Sequence, residues 1–170
     1  MGLLWCLSAV MLQAARVDTV LVRSAAMNKD VKVVYVLPDK AIGKQACPVV
    51  YLLHGYGGNA RSWVQLKPEL PQMADEKGII FVCPDGKNSW YWDSPENPAY
   101  RYETFVTSEL VKYTDGNYAT IPDRKARAIS GLSMGGHGAL WSAIRHKDVF
   151  GAAGSMSGGV DIRPFPRIGK

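Results

Sequence analysis

At 170 residues the chain is long enough for one domain with a substantial core, and 47% hydrophobic with 21% charged residues excludes a disordered polymer. The formal net charge is +5, yet Lys and Arg are scattered, with no basic block and no aromatic–basic interleaving, so nucleic acid is not read as a partner. Internal repeats and low-complexity tracts are absent.

Residues Met1 to Ala15 differ in character from the rest of the chain. Gly2 to Leu12 is apolar and uncharged, and small residues Ala14 and Ala15 close the segment. It is too short to span a bilayer and reads as the apolar part of a secretory leader, with residues 16–170 as the folded domain. No Lys or Arg precedes the run and Gln13 spoils an A-x-A site, so a buried N-terminal segment is the alternative. The balance favours export, to the periplasm or outside the cell.

Two β-rich runs come next, Val17–Val22 and Val31–Leu37, joined by a short polar link that predicts an antiparallel pair. Pro38 to Ala46 reads as an exposed loop. Pro48–Leu53 is apolar without alternation, as expected of a central strand covered on both faces. It leads into His54-Gly-Tyr-Gly-Gly58, where glycines let the backbone turn and present N–H groups. Pro71 to Lys77 reads as a helix stopped by Gly78, and Ile79–Cys83 as a second buried strand. Cys47 and Cys83 then fall at opposite ends of neighbouring parallel strands, too far apart for a disulfide. No Cys/His spacing suggests a metal, and no cofactor is called for.

The loop Lys87–Pro98 carries Trp90, Tyr91 and Trp92 in succession. Three aromatics are costly to leave in water, so they either pack down or line a cleft, and at least one is expected to face substrate. Tyr102–Tyr113 is a periodic helix with Phe105, Val106, Glu109, Leu110 and Tyr113 on one stripe. Glu109 among apolar residues reads first as a paired core carboxylate, and second as a support for the glycine-rich segment after this helix.

That segment is Ala128 to Leu140. Gly131-Leu-Ser133-Met-Gly135 matches the G-x-S-x-G nucleophile elbow, in which a serine at the tip of a strand-to-helix turn is pushed out above the sheet. Its neighbours two positions away must lack side chains for strand and helix to approach. The helix N-terminus, with unpaired N–H groups, favours an oxyanion at the same spot. Ala126–Ile129 supplies the strand and Gly138–Arg145 the helix, with Leu140, Trp141 and Ile144 read as its apolar side. A small-residue strand over Phe150–Met156 ends at Ser157-Gly-Gly159. From residue 48 onward the alternation of strands and helices predicts a mostly parallel sheet with helices on both faces, preceded by the antiparallel pair.

Tyr51 to Asn59, the Tyr102-Glu-Thr-Phe helix with its Glu-Leu-Val, and Gly131 to Ala139 resemble the esterase D family of α/β-hydrolases. That family includes feruloyl and acetyl esterases, S-formylglutathione hydrolases and mycolyltransferases. The resemblance spans roughly residues 31–159. It implies a serine carboxylesterase acting through an acyl-enzyme, with Ser133 as nucleophile and the backbone N–H groups of Tyr56 and Met134 as the oxyanion hole. The chain departs from the pattern after the elbow. The fold's acid and histidine follow the serine on later strands, and only 37 residues follow Ser133. His146, Asp148 and Asp161 come too soon, while His54 and His137 are not where the family places its base. The C-terminal strands, the acid and the base are therefore expected to be missing, and the chain alone inactive.

The leading reading is an exported esterase acting on acyl or feruloyl esters, carbohydrate-linked ones above all. A non-catalytic carbohydrate- or partner-binding module on the same scaffold, and an acyltransferase using the same serine, are the alternatives. Oligomeric state leaves no trace in the sequence.

Overall fold

The computed structural model describes residues 15–161. The leader-like residues 1–14 lie outside them. Ala15 is buried, and its N–H donates to Asp75 Oδ2 at 2.7 Å.

The described residues form one six-stranded sheet in the order β1-β2-β4-β3-β5-β6. β1 (Arg16–Ser24) and β2 (Lys29–Leu37) pair antiparallel, with Val22 opposite Val31 and Val17 opposite Val36. β2 lies antiparallel to β4 (Ile80–Pro84). The remaining neighbours are parallel: β3 (Val49–Leu53) with β4 and with β5 (Arg127–Leu132), and β5 with β6 (Ala152–Met156). Every residue of β4 is buried, and all of β3 except Val50. Their unalternating apolar runs are explained by helices on both faces.

The Pro38–Ala46 stretch is not wholly a loop. It holds one helical turn, α1 (Asp39–Ile42), half-buried because Asp75 Oδ1 accepts the Asp39 N–H. α2 (Ser62–Leu66) is too short to show a period in the sequence. With α3 (Leu70–Lys77) it covers one face, packing Trp63, Leu70 and Ala74 on Val34, Val36, Leu52 and Phe81. Gly78 ends α3 in the left-handed conformation, φ +63°.

The opposite face is covered by a helical rod in three parts and by α6. The rod runs from α4 (Tyr102–Thr104) through a π-helical turn (Phe105–Glu109) into α5 (Leu110–Asn117). The wider turn corrects the expected α-helical phase. Phe105 and Leu110, and Val106 and Val111, stand five apart and all four are buried. α6 (Met134–Arg145) also departs from expectation. It buries its small residues, Gly135 to Ala139 and Ser142, together with Met134 and His137, while Leu140 and Trp141 are half-exposed and Ile144 is exposed. Small side chains let this helix sit directly on the sheet. β6 forms the outer edge among the described residues, with Ala152, Ala153, Ser155 and Met156 exposed. Cys47 and Cys83 are buried free thiols, and burial raises the pKa of both.

Candidate active site

The end of β5 and the start of α6 make the sharp turn that the glycine spacing predicts. Ser133 sits at its tip with φ +54° and ψ −116°, a conformation that costs on the order of 1–3 kcal/mol and survives only where the surroundings enforce it. Steric contact enforces it here. A Cβ on Gly131 would lie 2.2 Å from the Gly135 carbonyl oxygen, and one on Gly135 would lie 2.1 Å from that of Leu53. The Ser133 N–H donates to the Met156 carbonyl at 2.8 Å, which ties the turn to the end of β6. The Ser133 side chain is exposed and makes no capping bond to its own helix. Its carbonyl accepts from His137 N at 3.0 Å, so the N–H of Met134 precedes the first intrahelical bond and belongs to the unpaired set at the helix start.

The loop after β3 approaches this turn from the neighbouring strand. A Cβ on Gly55 would stand 3.4 Å from the Leu132 carbonyl oxygen and 3.6 Å from Ser133 Cβ, so Gly55 abuts the elbow. Tyr56 comes next and is 66% exposed. Gly57 N–H donates to Asn88 Oδ1 at 2.8 Å and Gly58 N–H to the Gly55 carbonyl at 3.0 Å.

The chain's three imidazoles are committed elsewhere. His54 Nε2 accepts from the Gly86 N–H at 2.9 Å, which leaves Nδ1 to donate to the Gly55 carbonyl at 2.7 Å. His137 Nε2 accepts from the Trp92 indole N–H at 2.7 Å, and its Nδ1 donates to the Gly159 carbonyl at 2.7 Å. His146 caps the far end of α6, about 20 Å from Ser133 by helical rise, and its Nε2 lies 2.8 Å from Glu103 Oε1.

The three loop aromatics divide. Tyr91 does not face a cleft: it is fully buried, so its reading as a cleft residue is corrected. Two glycines leave room for its ring, since a Cβ on Gly86 would fall 2.3 Å from it and one on Gly138 2.6 Å. Trp90 and Trp92 are half-buried, both edge-on to His137 at ring-centroid distances of 5.5 and 5.3 Å. They thus flank the first turn of α6.

Glu109 is a half-buried, hydrogen-bonded carboxylate rather than a core one. It accepts from Ser24 Oγ at 2.6 Å and Ala26 N–H at 2.8 Å, tying the rod to the β1–β2 turn. The carboxylate that grips the elbow helix is Glu103, which sequence reasoning passed over. It accepts from Trp141 Nε1 at 2.8 Å and Arg145 Nε at 2.7 Å, besides its bond with His146. Burial pushes its pKa up, but the hydrogen bonds from Arg145, Trp141 and His146 outweigh that and hold the group below the usual glutamate range. Ser133, His137, Trp141 and Arg145 recur every four residues along one face, and that recurrence was the available signal. A cavity of about 870 Å³ lies between the rod and α6, lined by Trp92, Glu103, Thr107, Trp141 and Arg145; neither Ser133 nor Tyr56 borders it.

Residues 24–166 match the Esterase family model. The chain belongs to that family. Its sheet and elbow are those of an α/β-hydrolase fold. This Esterase-family chain is 27% identical over 155 residues to an acetyl esterase of Caldicellulosiruptor saccharolyticus, covering 86% of the chain and 58% of that protein. It is 34% identical over 155 residues to the diacylglycerol acyltransferase/mycolyltransferase Ag85A of Mycobacterium gordonae, covering 85% and 43%. A solved ferulic acid esterase superposes with a TM-score of 0.74 at 32% identity, over 85% of this chain and 58% of that one. The chain therefore spans about half the length of the curated relatives it matches.

Proposed function

We propose that this chain carries the nucleophile and oxyanion hole of a serine carboxylesterase. The observation that carries the reading is the strained, exposed Ser133 at the N-terminus of α6, with the Gly55–Gly58 turn beside it. In the proposed reaction Ser133 Oγ attacks the acyl carbon and loses its proton to a base. The carbonyl oxygen takes the charge and is held by the N–H groups of Met134 and Tyr56. Collapse expels the alcohol, which takes up the proton, and water then releases the acid from the acyl-enzyme.

None of the three imidazoles is placed to serve as that base. Base and acid are accordingly proposed to lie outside these 170 residues, which by themselves turn over no more than an oxyanion hole supports. Acyl or feruloyl esters linked to carbohydrate are the proposed substrates. The named activities of the acetyl and ferulic acid esterase relatives support this, as do the half-exposed Trp90 and Trp92 beside the elbow helix. Export is proposed from the leader-like composition of residues 1–15.

Ser133→Ala in the active protein is expected to lower kcat on methyl ferulate or p-nitrophenyl acetate by several orders of magnitude. Retained turnover would remove the assignment. Similarity to Ag85A, named as an acyltransferase, favours one second reading, acyl transfer to a hydroxyl other than that of water. Product analysis with an added alcohol acceptor separates the two.

A further inference from the structure

The loop over residues 85–93 is bonded to both sides of the proposed oxyanion hole, and Tyr91 is its centre. The Tyr91 hydroxyl accepts the His54 N–H at 3.0 Å and donates to the His54 carbonyl at 3.4 Å, so one phenol grips both backbone groups of a single residue. Burial raises the phenol's pKa well above its ordinary value, which keeps it protonated and able to donate. On its other side the ring lies where a side chain on Gly138 would be, one turn into α6. Asn88 holds the Gly57 N–H from the same loop. Positions 54 and 57, either side of Tyr56, are thus fixed from residues 88 and 91.

Trp90 and Tyr91 hold φ of +56° and +60°. Side chains of this size rarely adopt such values without being held there.

We infer that Tyr91 is a positioning residue, a spacer wedged between the His54–Gly58 loop and α6 that sets the separation of the Tyr56 and Met134 backbone donors. The inference rests on the esterase reading and adds the element that tunes it. Two donors on separate elements stabilise an oxyanion only if their spacing is fixed beforehand, because a misplacement of about 1 Å can cost on the order of 100-fold in rate. Gly138 is then the socket that lets the spacer reach the helix.

The test uses the full-length protein and three variants. Tyr91→Phe removes the hydroxyl and keeps the wedge. Gly138→Ala keeps the hydroxyl and pushes on the wedge. Tyr35→Phe removes another fully buried phenol, hydrogen-bonded to Thr114 and remote from the elbow, as a control for general loss of stability.

Tyr91→Phe and Gly138→Ala are expected to lower kcat by about 10- to 100-fold with KM nearly unchanged. They should weaken a boronic acid, whose adduct on Ser133 places an oxygen in the oxyanion position, by a similar factor. Tyr35→Phe should lower Tm without either effect. Amide hydrogen exchange supplies a readout independent of turnover: the His54 and Gly57 amides should exchange faster in Tyr91→Phe and not in Tyr35→Phe.

Unchanged kcat and unchanged exchange in Tyr91→Phe would overturn the inference, as would kcat losses that merely track Tm across all three variants. Absence of Ser133-dependent turnover in the wild type would instead count against the esterase reading. Exchange at residues 54 and 57 would then still decide the spacer.

Discussion

The indole N–H of Trp92 donates to Nε2 of His137 at 2.7 Å, in the first turn of α6 and four residues beyond Ser133. The bond fixes the imidazole with its proton on Nδ1, where it meets the Gly159 carbonyl. One histidine thereby joins the aromatic loop, the first turn of α6 and the segment after β6. It holds three walls of the site and has no nitrogen left for proton transfer.

Trp92→Phe keeps a ring in place and deletes the donor, leaving a nearly buried acceptor unpaired. The expected loss is about 1–3 kcal/mol of stability, measured by urea unfolding. The buried, hydrogen-bonded Tyr91 should still hold the loop, so the backbone fold reported by amide hydrogen exchange away from residues 92 and 137 should not change. A variant as stable as the wild type would show that the bond contributes little.

Position 56 separates side chain from main chain. Tyr56→Phe retains the N–H and should keep most of the activity, because residue 56 is largely exposed. Tyr56→Pro removes the N–H and should cost on the order of 10²–10³ in kcat. Steady-state kinetics on one ester suffices, and equal losses would point to the side chain.

Glu103 predicts a pH dependence of stability. Its folded pKa lies below the unfolded value, so its contribution is present above the ordinary glutamate range and is lost as pH falls through the folded value. Glu103→Gln should be less stable than the wild type at pH 7. The gap in urea midpoint should shrink as pH drops below about 4. A gap that widens in acid would contradict the assignment.

Much of the fold and the elbow was legible from residues alone. The elbow could be read because its glycines answer a steric demand: the 2.2 Å and 2.1 Å approaches at Gly131 and Gly135 admit no side chain. The central strands could be read because burial on both faces removes alternation. Tyr91 could not be placed, since its burial depends on room left by Gly86 and Gly138, which only the fold brings to one ring. Glu103 and Glu109 could not be sorted either. Both lie on a rod whose π-helical turn changes which way each residue points, and their partners come from a helix and a hairpin distant in sequence.

The 170-residue chain by itself is expected to show no Ser133-dependent turnover of p-nitrophenyl acetate beyond what an oxyanion hole supports. Serine is a weak nucleophile until a base takes its proton, and His54, His137 and His146 are all bonded elsewhere. The assay compares the chain with its own Ser133→Ala control. Serine-dependent turnover well above that level would mean that one of these histidines changes partners, with His137 the first to substitute.

The central claim is that Ser133 is the acylated residue. The most direct measurement is to treat the active protein with a fluorophosphonate, digest it and locate the adduct by mass spectrometry. A single adduct is expected on the peptide containing Gly131 to Gly135, at Ser133, and its loss in Ser133→Ala. An adduct at Ser155 or Ser157, or labelling that persists in the alanine variant, would contradict the account.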